Sequence, residues 1–204
     1  MSRRWFLIIL ALAAYSGWNS WSNRAVQVKT PGMLAPDAPL QHNLSGSAAP
    51  VFQHNGYRIE AQARYSLQAR LLRKEAYRTG REAELSPVDF ALGWGPMSDN
   101  ALLDQMTITQ SGRFYWLRWQ QLSVPVTQVM QNSANTHIIP ANSHVAGQIQ
   151  SMRPGQVIEL NGYLVNAFAS DGWHWLSSLT RKDTGAGACE LFWVESARVV
   201  QSAP

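Results

Sequence analysis

Ile59-Glu60-Ala61-Gln62-Ala63-Arg64-Tyr65-Ser66-Leu67-Gln68-Ala69-Arg70-Leu71 alternates apolar and polar residues over thirteen positions. These residues are good helix formers, yet the period is two. In a strand it gathers the apolar set on one face, whereas in a helix it would scatter that set around the axis. The alternation predicts one long strand from about 57 to 72, half-buried along its length.

Outward from it, Pro87–Trp94 reads as a second strand with Val88, Phe90 and Leu92 on one face. Ser98 is expected to cap a helix over Asp99–Met106, Asp99 lying in the first turn where the helix dipole favours a negative charge. Thr107–Gln110 and Arg113–Trp119 read as strands about the Ser111-Gly112 turn. Ser143–Met152 reads as a second helix, stopped by Arg153-Pro154-Gly155. Gln156–Phe168 and Trp173–Arg181 form a hairpin about Ser170-Asp171-Gly172, and Cys189–Val199 is the last strand. There is no internal repeat. Strands, then a helix, then two or three strands is the order of a small OB-like Greek-key barrel, mainly β (α+β) with one or two short helices. An SH3-like barrel is the nearest alternative. Leu67, Leu160, Leu164 and Leu191 are expected to fill a single interior.

The chain opens with Arg3-Arg4 and an uncharged run from Trp5 to Trp18, which has the basic and apolar regions of an export signal. Extended to Trp21 it reaches about 17 residues, the lower limit for a spanning helix, with Tyr15, Trp18 and Trp21 at the outer interface. The expectation is an uncleaved signal anchor over residues 1–21, single-pass in the inner membrane through residues 5–21, with a periplasmic C-terminal domain. Residues 22–56 hold Pro31, Pro36, Pro39 and Pro50 and read as an extended linker. Residues 57–200 form the barrel domain, large enough for its own core.

Of 17 basic residues, Arg3 and Arg4 precede the run, which leaves 15 against 13 acidic ones. A near-neutral exported part argues against a nucleic-acid partner, although Arg58, Arg64, Arg70, Arg73, Lys74, Arg78 and Arg81 are interleaved with Tyr57, Tyr65 and Tyr77. The single Cys189 allows no internal disulfide. No ligand spacing points to a metal, since His137-x6-His144 is not one, and no cofactor motif is present.

Asp183-Thr184-Gly185-Ala186 matches the short retropepsin-like signature, in which two carboxylates share a proton. Here it follows Arg181-Lys182, so Asp183 is expected in a solvated turn. Cys189 with His137, His144 or His174 could supply a thiol nucleophile and base. The ordinary alternative is a small buried Cys opening a strand, with His174 facing away from Trp173 and Trp175. Asp89 and Asp99 complete the carboxylates open to a hydrolase.

Gly93-Trp94-Gly95-Pro96-Met97-Ser98-Asp99, Ser133-Ala134-Asn135-Thr136-His137-Ile138-Ile139-Pro140-Ala141 and Asp183-Thr184-Gly185-Ala186-Gly187-Ala188-Cys189-Glu190 carry a resemblance. Over roughly residues 20–197 the chain resembles a family of uncharacterised Gram-negative envelope proteins with an N-terminal anchor and one exported domain. The resemblance implies an envelope location and an envelope protein partner, and it carries over no activity. Trp94, Asp99, Asn135, His137, Trp173 and Trp175 are the expected binding residues of a binding or assembly module. A periplasmic hydrolase of aspartic or cysteine type, or a nucleic-acid-binding barrel in DNA uptake or conjugative transfer, are the competing expectations.

Overall fold

The computed structural model describes residues 5–6, 8–10, 24–28, 30–45, 49–180 and 188–201. The fold is mainly β, with ten strands and short helices among the described residues. The alternating stretch forms β3 (Tyr57–Ala76), twenty residues long and longer than its period suggested. Two short strands pair with it, β1 (Leu40–Asn43) and β2 (Val51–His54). Both lie within the stretch expected to be a linker, so the second half of that stretch is sheet edge.

β4 (Val88–Gly93), β7 (Ser133–Pro140), β8 (Val157–Phe168) and β10 (Glu190–Gln201) complete a ring with β3. The order is β3-β4-β7-β10-β8, and β8 returns to β3 from Arg58↔Phe168 to Arg70↔Val157. Only β7 and β10 in this ring run parallel. A register shift between Ala61 and Ala63 falls where the buried side chains of β3 change from the outer cluster, with Tyr57 and Ile59, to the interior, with Ala63 and Tyr65. Short helices punctuate the chain at α1 (Arg81–Leu85), α2 (Asn100–Leu103), α3 (Val126–Gln131) and α4 (Ser143–Ser151). Asn142 caps α4 by accepting from Val145 N at 3.0 Å. The helix lies between β7 and β8 and sends Val145 and Ile149 into the barrel core.

The interior gathers Ala63, Tyr65, Leu67, Phe90, Leu92, Ile138, Leu160, Leu164 and Phe192. Leu191 does not join them. It alternates onto the outer face with Trp193 and packs there with Ile59, Leu85, Ile139, Val165 and Ala167, so two cores share one sheet. The residues between β4 and β7 form an insertion. β5 (Met106–Ser111) and β6 (Phe114–Trp119) make a separate two-stranded sheet over a third cluster around Met97, Leu102, Ile108 and Val129. Ser133–Pro140, which gave no strand signal, is the central strand β7. Ser98 does not cap the helix: its hydroxyl donates to Gly95 O at 2.7 Å, and Asp99 is the cap, accepting from Ala101 N. Beyond the Asp171 turn, among the described residues, only His174–Trp175 (β9) pairs with β8, far less than the hairpin expected.

Among the described residues no helix is long and apolar enough to cross a membrane. Most of the expected anchor lies outside the described residues. Trp5, Phe6 and Ile8–Leu10 are helical, and each is about half or more exposed.

Candidate functional site

The outer faces of β4 and β7 and the bend just before β10 place Asp89, His137 and Cys189 side by side. Asp89 is paired with His137 across the β4–β7 ladder, and Leu191 with His137 across the parallel β7–β10 ladder, so Cys189 falls beside Asn135. Over them lies an open cleft of about 450 Å3, lined by Glu82, Arg113, Phe114, His137, Trp173, His174, Trp175, Leu176 and Cys189.

Its floor is a charged network. Asp89 is fully buried, and its Oδ1 accepts from Arg113 Nη1 at 2.7 Å. The same nitrogen donates to Ser86 O at 2.9 Å. His137 Nδ1 stands 2.9 Å from Asp89 Oδ1. The contact is not a hydrogen bond, and both His137 Nδ1 and Asp89 Oδ2 are buried without a hydrogen-bond partner among the described residues. The Arg113 guanidinium stacks 3.7 Å from the Tyr77 ring centroid and 5.6 Å from that of Trp175. Burial, and then the nearby Asp89 charge, push the Glu75 carboxyl up. Burial likewise raises the Tyr77 phenol, with Arg113 opposing.

Arg113 comes from the tip of the β5–β6 hairpin. Gly112 and Arg113 have φ of 59° and 71°, the left-handed pair that a two-residue hairpin turn requires. A non-glycine residue there is strained, and its surroundings hold it. Arg113 N donates to Tyr77 Oη at 3.0 Å, and Arg113 O accepts from Asn135 Nδ2 at 2.9 Å. Asn135 Nδ2 also approaches Cys189 Sγ at 3.7 Å, and Gln110 Nε2 donates to Asn135 Oδ1 at 2.7 Å. The inserted hairpin is thereby latched onto the barrel beside Cys189.

The wall is aromatic. Trp175 lies 4.6 Å from the His137 ring and 6.2 Å from Trp173, with centroids compared in each case. Arg81 covers Trp173 at 4.8 Å while making a bidentate pair with Asp171 at 2.8 Å. That pair holds the Asp171 carboxyl at about 2.

Of the residues singled out in the sequence, Asn135, His137, Trp173, Trp175, His174, Cys189 and Asp89 converge here. Trp94 does not: it is 1% exposed and belongs to the barrel core. Asp99 caps α2 on another side of the molecule, and His144 is exposed on α4. Asp183 and its glycine loop lie outside the described residues. The basic stretch is dispersed, with Arg58 paired to Glu60, Arg64 to Glu195, and Arg70 donating to Ser98 O. Arg113 escaped sequence reasoning as a site residue, and Tyr77, singled out only as part of the basic and aromatic stretch, stacks against it instead. The two-residue connection Gly112-Arg113 was the available signal, because it forces Arg113 to the hairpin tip. Among the described residues no cluster of three or more His, Cys, Asp or Glu could hold a metal ion. Comparisons with protein-family models, with curated proteins and with solved structures return no match.

Proposed function

We propose that this chain is a membrane-anchored periplasmic binding or assembly module on an OB-type barrel. It is held in the inner membrane through residues 5–21 and takes a segment of an envelope protein partner into the cleft below Trp173 and Trp175. The observation that carries the reading is the pairing of a half-exposed aromatic wall with a floor fixed by the Asp89–Arg113 latch. Trp, Tyr and Arg dominate binding hot spots, and a rigid floor lowers the ordering cost of association. The closed ring β3-β4-β7-β10-β8, its parallel β7–β10 pair and the helix between β7 and β8 support the OB type. The likeness of the three segments to the uncharacterised envelope family belongs to the same reading. A photoreactive residue at Leu176, on the cleft rim, should give a discrete adduct in cells that Trp175→Ala abolishes. Equal adducts from His144, on α4, would overturn the assignment of the cleft.

A second reading, a cysteine-type hydrolase, is favoured by one observation: Cys189 and His137 line one cleft, with Asp89 buried beside His137 on the neighbouring strand. It requires the Cys189 thiol to pass its proton to His137 and attack a substrate carbonyl, expelling a leaving group that takes up that proton and leaving a thioester that water hydrolyses. A burst of product from an activated ester, lost in Cys189→Ser and His137→Ala, would place it first.

A further inference from the structure

The segment that follows the expected anchor is not free of the barrel. Val26 N donates to Pro154 O at 2.7 Å, and Arg153 Nε donates to Arg24 O at 3.0 Å. Asn100 Nδ2 holds Val28 O at 2.7 Å and Thr30 O at 3.1 Å, and Val28 is 8% exposed. Gly155 has φ of 95°, and a Cβ there would collide with Val26 O, so the turn after α4 fits this strap closely. The strap crosses an opening lined by Arg70, Arg73, Asp104, Pro154 and Gly155.

Three consequences follow. First, residues 22 and 23 alone separate Trp21 from Arg24. At about 3.6 Å per residue the chain cannot carry Arg24 more than roughly 11 Å from Trp21. Second, the docked end is cationic. Arg24 and Arg73 are exposed, Arg153 is half-buried, and Lys74 reaches Gln150 O and Met152 O at the end of α4. The acidic groups facing this end are Asp99 and Asp104, beside the buried Arg70. Third, the opposite end of β8, with Asp171 and the cleft, points away from the strap.

We propose that the Pro154–Gly155 end of the barrel, with Arg24, Arg73 and Arg153, rests on an anionic phospholipid headgroup layer and turns the Trp173–Trp175 cleft outward. The proposal rests on the anchored reading above. The bound of about 11 Å keeps Arg24 within roughly one and a half Debye lengths of Trp21, the Debye length being about 8 Å at physiological ionic strength, and Arg153 is tied to Arg24 by the bond from its Nε to Arg24 O. Juxtamembrane basic groups are attracted to such surfaces.

The test uses the full chain in nanodiscs of phosphatidylglycerol with phosphatidylcholine, against phosphatidylcholine alone, read by amide hydrogen exchange. Exchange at residues 24–28, 72–74 and 150–156 should slow by roughly tenfold in the anionic discs, with residues 169–176 unchanged. Arg24→Glu with Arg153→Glu should remove the difference, as should 1 M salt, where the Debye length falls to about 3 Å. Incorporation without this protection, or protection insensitive to lipid charge, would overturn the proposal while leaving the anchor standing. Failure of the chain to incorporate would overturn both.

Discussion

Arg113 reaches Asp89 from a backbone in the left-handed region, 2.7 Å from Nη1 to Oδ1 across the gap between an inserted hairpin and the barrel. The strain at φ 71° is tolerated because Tyr77, Asn135 and Asp89 each bind the same residue.

Breaking that pair should therefore cost more than its geometry alone suggests. Asp89→Ala leaves the guanidinium without its carboxylate, and breaking a buried pair typically costs about 3–5 kcal/mol. A double variant with Arg113→Ala should lose less than the two single losses together, because the partners interact directly. Urea unfolding midpoints check both, and strict additivity would refute the latch.

Leu160→Ala and Leu191→Ala should each cost about 2–5 kcal/mol, since both side chains are 0% exposed. They empty cores on opposite faces of the sheet. Their losses should therefore add to within about 0.5 kcal/mol. Strong coupling would mean a single shared core.

Burial lowers the Lys74 ammonium to about 8. Between that value and the ordinary lysine range, near about 10.4, the unfolded chain binds the proton and the folded chain does not. Stability should rise with pH across this window, the penalty for burying the charge being fully present below it. Lys74→Met should flatten the rise in thermal denaturation.

Glu159 runs the other way. Its hydrogen bonds to Arg198, then to Gln68 and Asn161, hold its carboxyl at about 2. It contributes stability that is complete above the ordinary glutamate value, near about 4.3, and lost as pH falls toward 2. In Glu159→Gln the acid limb of the stability curve should be shallower, and an unchanged limb would refute the assignment.

The period-two run from Ile59 to Leu71 made β3 legible, because one buried face dictates alternation. The helix over Ser143–Ser151 was legible from its Arg153-Pro154-Gly155 stop. β7 was not: Ser133–Pro140 is buried on both faces, so it shows no alternation, and its polar residues Asn135, Thr136 and His137 disguise a central strand. The site was half legible. His137, Trp173 and Trp175 stood out by residue type, whereas Arg113 is brought in by an insertion whose path the local sequence does not encode. Trp94 and Asp99 misled by residue type. A tryptophan between glycines and an acid at a helix start look available to a ligand, yet one fills the core and the other commits its carboxylate to the helix cap.

The closing of the ring also sets an order of events during synthesis. β3 emerges early, but its main partner is β8, and Arg58 must wait for Phe168. At about 5–20 residues per second a growing chain needs roughly 5–20 s to supply that partner. Throughout that interval a twenty-residue strand with one apolar face has β1, β2 and then β4 as its ladder partners among the described residues. Such long-range closure folds slowly and leaves an edge open to other chains. The nascent chain is thus most vulnerable to aggregation between the appearance of Leu71 and that of Val157, the period in which a holding chaperone would matter most.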